Sequence, residues 1–486
     1  MLIFFIFSVW LEKHKFRSEQ CLIHRKNSKD YGKTMKTALQ RLDDYLLDYP
    51  CFFRNKTKKF SDKAEEYTRG IFLSRERNIE RICESHHDLN YHQMQHFISD
   101  SKWDARSVIN KAAVQTSEVL PKRKLTGLII DETGSVKKGK KSVGVGWQYC
   151  GNVGKTANCQ VAVMACLSNG DFASMVDAQL YLPKDWSENQ QRCDEAGIPE
   201  ENRAFKTKAE IALDIVREQM LLGVEFDFVG ADGFYGNDTE LADQLGDWGC
   251  IYMLDVHKNQ SIYLKEPQWH IPPPKGKGGR KPEISRPDQP SIRVDEYYKT
   301  LDTKDWKKIK VRNTAKGKLK GMYHFRIVHV LNKKRNSFEK RLLVIRKIKT
   351  KKGVKIKYSL TNANPDEYMP KTIAYMQAQR FFVEHCIKES KYNLGMDEFQ
   401  TRKWLAWQHQ IAINIMVSCF VLKEKLLCFD DLPLLSAADI RDWICFKLFK
   451  TRSDDEMIEL MYLRHLRRQR DINRHYLNNE SSNVSK

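Results

Sequence analysis

Three acidic residues of this chain are placed where their carboxylates could share divalent metal ions. Asp131 ends one apolar run, and Asp232 ends a second run and precedes Gly233. Glu384 lies in a stretch, Tyr375–Lys391, whose spacing predicts a helix. Magnesium prefers hard oxygen ligands, and a two-metal site needs carboxylates that converge from separate elements. The pattern therefore predicts a site for two magnesium ions, which suits phosphoryl transfer.

Each of these acids has a structural interpretation when it is considered alone. An aspartate at the end of a strand more often caps a turn than binds a metal, and Asp232 with Gly233 fits a simple turn. Glu384 and Lys388 fit a surface ion pair, since they are four residues apart on a helix. Three acids in three elements of one basic chain favour the catalytic interpretation. The neighbouring acids are predicted not to be ligands: Asp227, Asp255 and Glu389.

Basic residues accompany Glu384 on its predicted helix. Arg380 lies one turn before Glu384, whereas Lys388 and Lys391 lie one and two turns after it, so all four share a face. We expect Glu384 to face the metal ions and the basic side chains to contact DNA phosphates. Arg380 suits bidentate contact with a phosphate.

A glycine-containing hairpin follows Asp131 and is rich in lysine. We predict that its lysines contact phosphate, although the same pattern fits a charged hairpin tip. The four residues are Lys137, Lys138, Lys140 and Lys141.

Three blocks around these acids resemble the catalytic blocks of bacterial insertion-sequence DDE transposases. The first contains Asp131-Glu132-Thr133-Gly134, the lysine hairpin, Gln148-Tyr149-Cys150-Gly151 and Cys159-Gln160-Val161-Ala162-Val163. The second is Ala231-Asp232-Gly233-Phe234-Tyr235-Gly236. The third contains Gln379-Arg380-Phe381-Phe382-Val383-Glu384, Lys391, Gly395-Met396 and Gln400-Thr401-Arg402-Lys403-Trp404. The resemblance spans roughly Tyr91 to Phe420 and points to the subgroup with a Tyr-Arg-Glu-Lys signature helix. The chain departs from that signature, because Gln377 stands where the tyrosine is expected and the nearest tyrosine is Tyr375.

The resemblance implies a fold, a cofactor and partners. The fold is an α/β, RNase H-like mixed sheet flanked by helices. Asp131 would bridge two Mg²⁺ ions, for which Mn²⁺ can substitute, and Asp232 and Glu384 would each complete one side. Arg402 joins the basic residues named above as a DNA contact. The partners would be double-stranded DNA, as element terminal repeats and target, and a second copy of the chain in a synaptic homodimer.

Composition agrees with a folded, nucleic-acid-binding protein. The chain has 486 residues and a formal net charge of +21, and 41% of its residues are hydrophobic. A field of this sign attracts polyanions, although solubility alone could also explain it. The twelve cysteines form no zinc-type cluster, which favours a reducing compartment. We expect a bacterial cytoplasmic protein associated with the nucleoid.

Two apolar runs are too short to cross a membrane. Met1–Leu11 lacks the basic flank of a signal peptide. Ile411–Leu422 is predicted to be a buried helix, with Trp404 and Trp407 packing beside it. We therefore expect no membrane partner.

Changes in pattern along the chain predict six regions. They are a non-native or disordered extension (1–34), a helical DNA-binding domain (35–120), the first part of the catalytic core (121–256), a β-rich insertion (257–365), the second part of the core with the Glu384 helix (366–425), and a basic helical C-terminal region (426–486). The N-terminal helices also fit a bundle with solvated lysines, and the basic tail also fits a solvated helix face.

Three functions fit this sequence. The first is a transposase that cuts DNA at the ends of its own element, with magnesium, and transfers the strand to a target. The second is a DNA-binding self-repressor that keeps the fold but does not cut, and the third is a stand-alone RNase H-like nuclease. The three acids favour an enzyme over the repressor, and the insertion and N-terminal helices favour a protein that holds long duplex ends.

Overall fold

The computed structural model describes residues 38–85, 89–122, 124–273, 283–314, 317–350, 353–399, 401–449 and scattered positions between 455 and 473. The predicted extension at 1–34, residues 274–282, Gln400 and most of the C-terminal tail lie outside this part. Helices and strands are numbered below as they occur within it.

The helices surround a single large sheet. They are α1 (Ala38–Leu46), α2 (Ser61–Leu73), α3 (Ile79–Ser85), α4 (Tyr91–Ser99), α5 (Ala105–Val119), α6 (Lys184–Ser187), α7 (Gln190–Ala196), α8 (Lys208–Leu221), α9 (Gly233–Gly236), α10 (Thr239–Asp247), α11 (Val294–Lys299), α12 (Pro370–Ala378), α13 (Arg380–Leu394), α14 (Trp404–Leu427) and α15 (Ala437–Phe449). Short 3₁₀ turns occur at Glu200–Asn202 and Thr303–Asp305.

The strands form a ten-stranded mixed sheet and small two-stranded pairs. They are β1 (Arg54–Asn55), β2 (Lys58–Lys59), β3 (Gly127–Val136), β4 (Gly146–Cys150), β5 (Lys155–Ser168), β6 (Ala173–Tyr181), β7 (Phe228–Ala231), β8 (Tyr252–Val256), β9 (Ser261–Ile262), β10 (Trp269–His270), β11 (Arg286–Pro287), β12 (Ile292–Arg293), β13 (Lys307–Thr314), β14 (Gly317–Asn332), β15 (Ser337–Thr350) and β16 (Gly353–Thr361). The main sheet runs β13-β14-β15-β16-β8-β7-β3-β5-β4, and β6 pairs with β5.

The centre of this sheet confirms the predicted α/β class with a mixed sheet between helices. Strand β3 pairs in parallel with β7, and β7 pairs in parallel with β8, whereas β3, β5 and β6 are antiparallel neighbours. The strands are apolar on both faces because helices cover both sides. Helix α8 begins with a capping box between Thr207 and Glu210, which fixes its start.

The β-rich segment after β8 continues the main sheet. Strands β13 to β16 form an antiparallel meander, and β16 pairs with β8, Tyr358 lying opposite Val256. A separate apolar cluster beneath the meander contains Ile262, Val328 and Ile345. The meander is therefore anchored directly to a strand of the core.

The predicted helix Tyr375–Lys391 is two helices that meet at Gln379. The backbone N–H of Gln379 donates to the carbonyl of Met376, three residues back, instead of to Tyr375. The Gln379 side-chain NH₂ group donates to the Tyr375 carbonyl at 3.2 Å in place of the backbone N–H. The Gln379 side-chain oxygen accepts from the Ser168 hydroxyl at 3.1 Å. A buried side chain thus competes for a backbone carbonyl and interrupts the helix.

Helix α14 is the central helix of the core. It is the one helix in the described part that is long and apolar enough to cross a membrane, but 89% of its most apolar window is buried inside the protein. The buried helix predicted at Ile411–Leu422 is therefore confirmed, and Trp407 is buried as expected. Helices α1 to α5 share one hydrophobic cluster with α14, so they pack onto the core.

Candidate active site

Three aspartates lie in line across the parallel strands at the centre of the sheet. Ile130 is opposite Ala231, and Ala231 is opposite Leu254. The residues that follow them are Asp131, Asp232 and Asp255. The sequence suggests that Asp131 ends its strand, but β3 continues beyond it to Val136. Asp131 lies instead where the parallel pairing of β3 with β7 ends.

The carboxyl groups of Asp131 and Asp232 are partly buried. Burial, and next the neighbouring Asp232 carboxylate, raise the pKa of Asp131 to about 7, although Arg380 lowers it. Burial, and next Glu132, raise the pKa of Asp232. Asp232 also caps the short helix α9, because its carboxylate accepts the Phe234 N–H at 2.9 Å. Asp232 therefore caps a turn, as the structural alternative predicts. This hydrogen bond uses only one of its two carboxylate oxygens.

Helix α13 brings Arg380 and Glu384 to the aspartates. Glu384 is 51% exposed and forms an ion pair with Arg380 four residues before it. The Arg380 guanidinium also lies 3.4 Å from the Asp131 carboxylate and 3.2 Å from that of Asp255. Burial alone would lower the pKa of Arg380, but these acids raise it, so the guanidinium is charged at all relevant pH. One cation therefore stands among three carboxylates.

Asp255 belongs to this cluster, although the sequence analysis set it aside. Its carboxylate accepts from Lys357 Nζ at 2.9 Å and from Ser359 Oγ at 2.6 Å, both on β16. Ser359 in turn accepts from the buried amide of Gln377 at 2.8 Å. These contacts connect the last strand of the meander to Arg380.

Gln377 and Tyr375 have different roles in the structure. Gln377 occupies the position of the signature tyrosine, is buried, and reaches Ser359 and the Val344 carbonyl. Tyr375 points elsewhere and donates to the Leu125 carbonyl at 2.8 Å. A polar residue at a position of the signature helix was the available signal for Gln377. Asp255 also had a signal, because it follows an apolar run as Asp131 does.

The basic residues predicted to contact DNA differ in exposure and in their bonds to the rest of the protein. Lys391 is buried, donates to the Gly134 carbonyl at 2.8 Å and lies 3.7 Å from Asp397. Lys137 donates to the Phe399 carbonyl at 2.8 Å. A phosphate contact by either lysine therefore requires that it exchange a bond to the protein. The remaining predicted contacts are exposed: Lys138, Lys140, Lys141, Lys388 and Arg402.

Two neighbouring acids have structural partners. Glu389 forms an ion pair with Lys425 at 2.6 Å, away from the Arg380 face of α13. Asp227 accepts the Thr126 N–H at 2.6 Å, at the opposite end of β7 from Asp232. Neither lies among the residues that line the acid cavity.

The three predicted ligands line one cavity of about 670 Å³, together with Arg380 and Lys391. Within the described residues, no group of three ligating side chains is already gathered closely enough to hold a metal ion. The donor set nevertheless fits magnesium, because it consists of hard carboxylate oxygens. Burial, and next neighbouring acids, raise the pKa values of Asp131 and Asp232, and a bound cation would favour their charged forms.

Two comparisons with known proteins match this chain. A family model described as DDE superfamily endonuclease matches residues 49–318, which is more than half of the chain. The match includes Asp131 and Asp232 and ends before α13. The chain is also 31% identical over 183 residues to a protein of Microchaete diplosiphon named "Probable transposase for insertion sequence element IS701". That alignment covers 37% of this chain and 44% of the relative, so it spans less than half the length of the relative.

Proposed function

Because the chain belongs to the DDE superfamily endonucleases, we propose that it is an insertion-sequence transposase that cuts DNA at the ends of its element and joins it to target DNA. The observation that carries the proposal is the alignment of Asp131 and Asp232 on neighbouring parallel strands, with Glu384 on the wall of the same cavity. Similarity to a probable transposase supports the choice of substrate.

In this proposal Asp131, Asp232 and Glu384 hold the metal ions. When bound there, divalent ions would help to activate the attacking oxygen and to stabilise the leaving oxygen. The side chains that supply oxygen ligands come from β3, the β7–α9 turn and α13. Their rigid backbones keep the carboxylates at fixed positions relative to one another, which limits the reorganisation needed during the reaction.

Arg380 is proposed to hold the phosphate that is cut. Its Nε faces Asp255 at 3.2 Å, whereas its terminal nitrogens lie beside Asp131 and Glu384 on the wall of the acid cavity, where a phosphate oxygen could accept from them. Asp255 keeps the guanidinium beside the aspartates when Glu384 is engaged as a ligand. The exposed residues Lys388 and Arg402 extend the positive surface for the flanking phosphates.

The same residues serve both steps of transposition. Attack by water on a phosphodiester forms one P–O bond and breaks another, which leaves a 3′-hydroxyl on the element and a 5′-phosphate on the flanking DNA. That hydroxyl then attacks a phosphodiester of the target, a new P–O bond forms and an old one breaks, and its proton passes to solvent. Both steps are in-line displacements at phosphorus and need the same positioned carboxylates.

We expect cleavage to require magnesium or manganese. The purified protein is incubated with a duplex that contains its own gene and flanking DNA, with Mg²⁺, with Ca²⁺ or with EDTA. Site-specific nicks should appear with Mg²⁺, whereas Ca²⁺ should support binding with little cleavage and EDTA should abolish nicking. Binding without cleavage in every metal would favour the self-repressor. Cleavage of RNA–DNA hybrids in preference to duplex DNA would favour the stand-alone nuclease.

Asp255→Asn is expected to slow cleavage about tenfold with little change in KM for DNA, because Asp255 positions Arg380 without touching substrate. Single-turnover and steady-state assays would separate the two parameters. Asp255→Glu should restore part of the rate. Asp227→Asn is the matched control, since Asp227 bonds the Thr126 backbone and not Arg380. Equal losses in the two Asn variants would show that Asp255 only supports the strand.

A further inference from the structure

The edge strand β4 carries two large aromatic side chains that face solvent. Trp147 is 77% exposed and Tyr149 is 60% exposed. They alternate along the strand, so both lie on the same face. Within the part of the chain that the structure describes, neither ring forms a hydrogen bond or packs against another aromatic ring. Exposed aromatic pairs of this size usually mark a surface that binds something.

The other face of this hairpin is packed, which fixes the direction of the two rings. Cys150, Cys159 and Val161 form a small buried cluster on that side. On the outer face, Trp147 is opposite Asn158 and Tyr149 is opposite Thr156 of β5. The rings are therefore held on a supported surface and do not move with a free loop.

The region around the rings is strongly basic. No acidic residue occurs in the sequence between Glu132 and Asp171, and that segment has five lysines: Lys137, Lys138, Lys140, Lys141 and Lys155. All except Lys137 are exposed. The Asn158 amide donates to the carbonyls of Lys137 and Gly139, both at 2.8 Å, so the lysine turn is fixed beside the strand position that faces Trp147.

The tip of the same hairpin reaches the candidate active site. Gly151 and Asn152, which connect β4 to β5, line the cavity that contains Asp131, Asp232 and Glu384. A DNA strand that leaves this cavity along the hairpin would pass from the acids to the lysines and the aromatic rings.

We propose that Trp147 and Tyr149 stack on unpaired bases of the DNA strand next to the cut, while the exposed lysines hold its phosphates. This inference rests on the proposed function and adds to it a binding site for single-stranded DNA. Rings need an open base face for stacking, and bases paired within a duplex do not offer one. The exposed lysines of this segment favour a nucleic acid over a protein that would pair with the free edge of β4.

The test compares two fluorescent DNA probes for each variant by anisotropy, in Ca²⁺ to prevent cleavage. One probe is a fully paired duplex, and the other is the same duplex with a single-stranded extension. Trp147→Ala and Tyr149→Ala should each weaken binding of the extended probe about tenfold and leave duplex binding within about twofold. Lys140→Ala should also weaken binding of the extended probe, because it removes a phosphate contact to the unpaired strand, and Tyr91→Ala, an exposed aromatic of α4, should change neither probe.

The outcomes separate this inference from the proposed function. If the wild type binds and cuts DNA but the aromatic variants bind both probes normally, the stacking site is wrong and the transposase proposal stands. If the wild type binds neither probe, both proposals are wrong. Equal weakening on both probes would show a general loss of binding or folding, and a change in oligomeric state with unchanged DNA binding would show that β4 docks protein. Either result would overturn the stacking site.

Discussion

Glu384→Gln is expected to reduce DNA cleavage on the order of 1,000-fold or more while leaving the fold and duplex binding intact. A metal ligand acts on charge that develops in the transition state, and several kcal/mol of such stabilisation corresponds to this factor in rate. The side chain is half exposed, and its ion pair with Arg380 is the contact it makes in the described part, so its loss should cost little stability. Rates of nicking, thermal unfolding and anisotropy would measure the three quantities.

Glu389→Gln is the matched control because it removes an acid from the same helix. Glu389 and Lys425 are both mostly buried and paired at 2.6 Å. Breaking this pair should lower the free energy of unfolding by about 1–3 kcal/mol and leave the nicking rate of the folded protein unchanged. The two variants should therefore give opposite patterns. Normal cleavage by Glu384→Gln would remove Glu384 from the metal site.

The same assay applies to the two aspartates, with one difference. Asp131→Asn and Asp232→Asn should also abolish nicking, but each removes a carboxylate whose pKa is raised first by burial and next by a neighbouring acid. These variants should therefore be at least as stable as the wild type in the absence of metal. In Mg²⁺ the wild type should gain thermal stability and the variants should gain less, because they bind the ion less tightly.

The sheet centre was predictable because its strands are continuous apolar runs followed by acids. Those runs placed Asp131 in β3 and Asp232 directly after the end of β7. The β-rich character of the insertion was equally visible. What these runs do not specify is pairing between strands, so the attachment of β16 to β8 emerged only from the structure.

The polar network around Arg380 was not predictable for the same reason. Asp255 follows an apolar run as Asp131 does, but its contacts could not be predicted, since its partners Lys357 and Ser359 come about a hundred residues later. The break at Gln379 depends on Ser168, on a distant strand. The sequence itself shows which side chains are charged. Whether a charged side chain is free to bind a ligand depends on contacts with residues far away in the chain. Lys391 illustrates this, because its helical face suggested a phosphate contact and the fold gives its ammonium to a backbone carbonyl.

Removing the Arg380 guanidinium is expected to have the second large effect. Arg380→Ala should lower the cleavage rate about 100-fold or more, the size seen when one preorganised donor to the reacting centre is lost. It should also reduce the slope of the logarithm of DNA affinity against the logarithm of salt concentration by about one, since one phosphate contact disappears. Cleavage kinetics and anisotropy titrations at several salt concentrations would measure both.

Arg380→Lys distinguishes charge from geometry at this position. Lysine keeps the positive charge, so the salt slope should return to that of the wild type. It cannot make the forked contacts that join Asp131, Asp255 and Glu384 to one planar group, so most of the cleavage rate should remain lost. Full recovery of the rate by lysine would show that Arg380 acts only as a point charge. The ion pair with Asp255 would then have no role in positioning it.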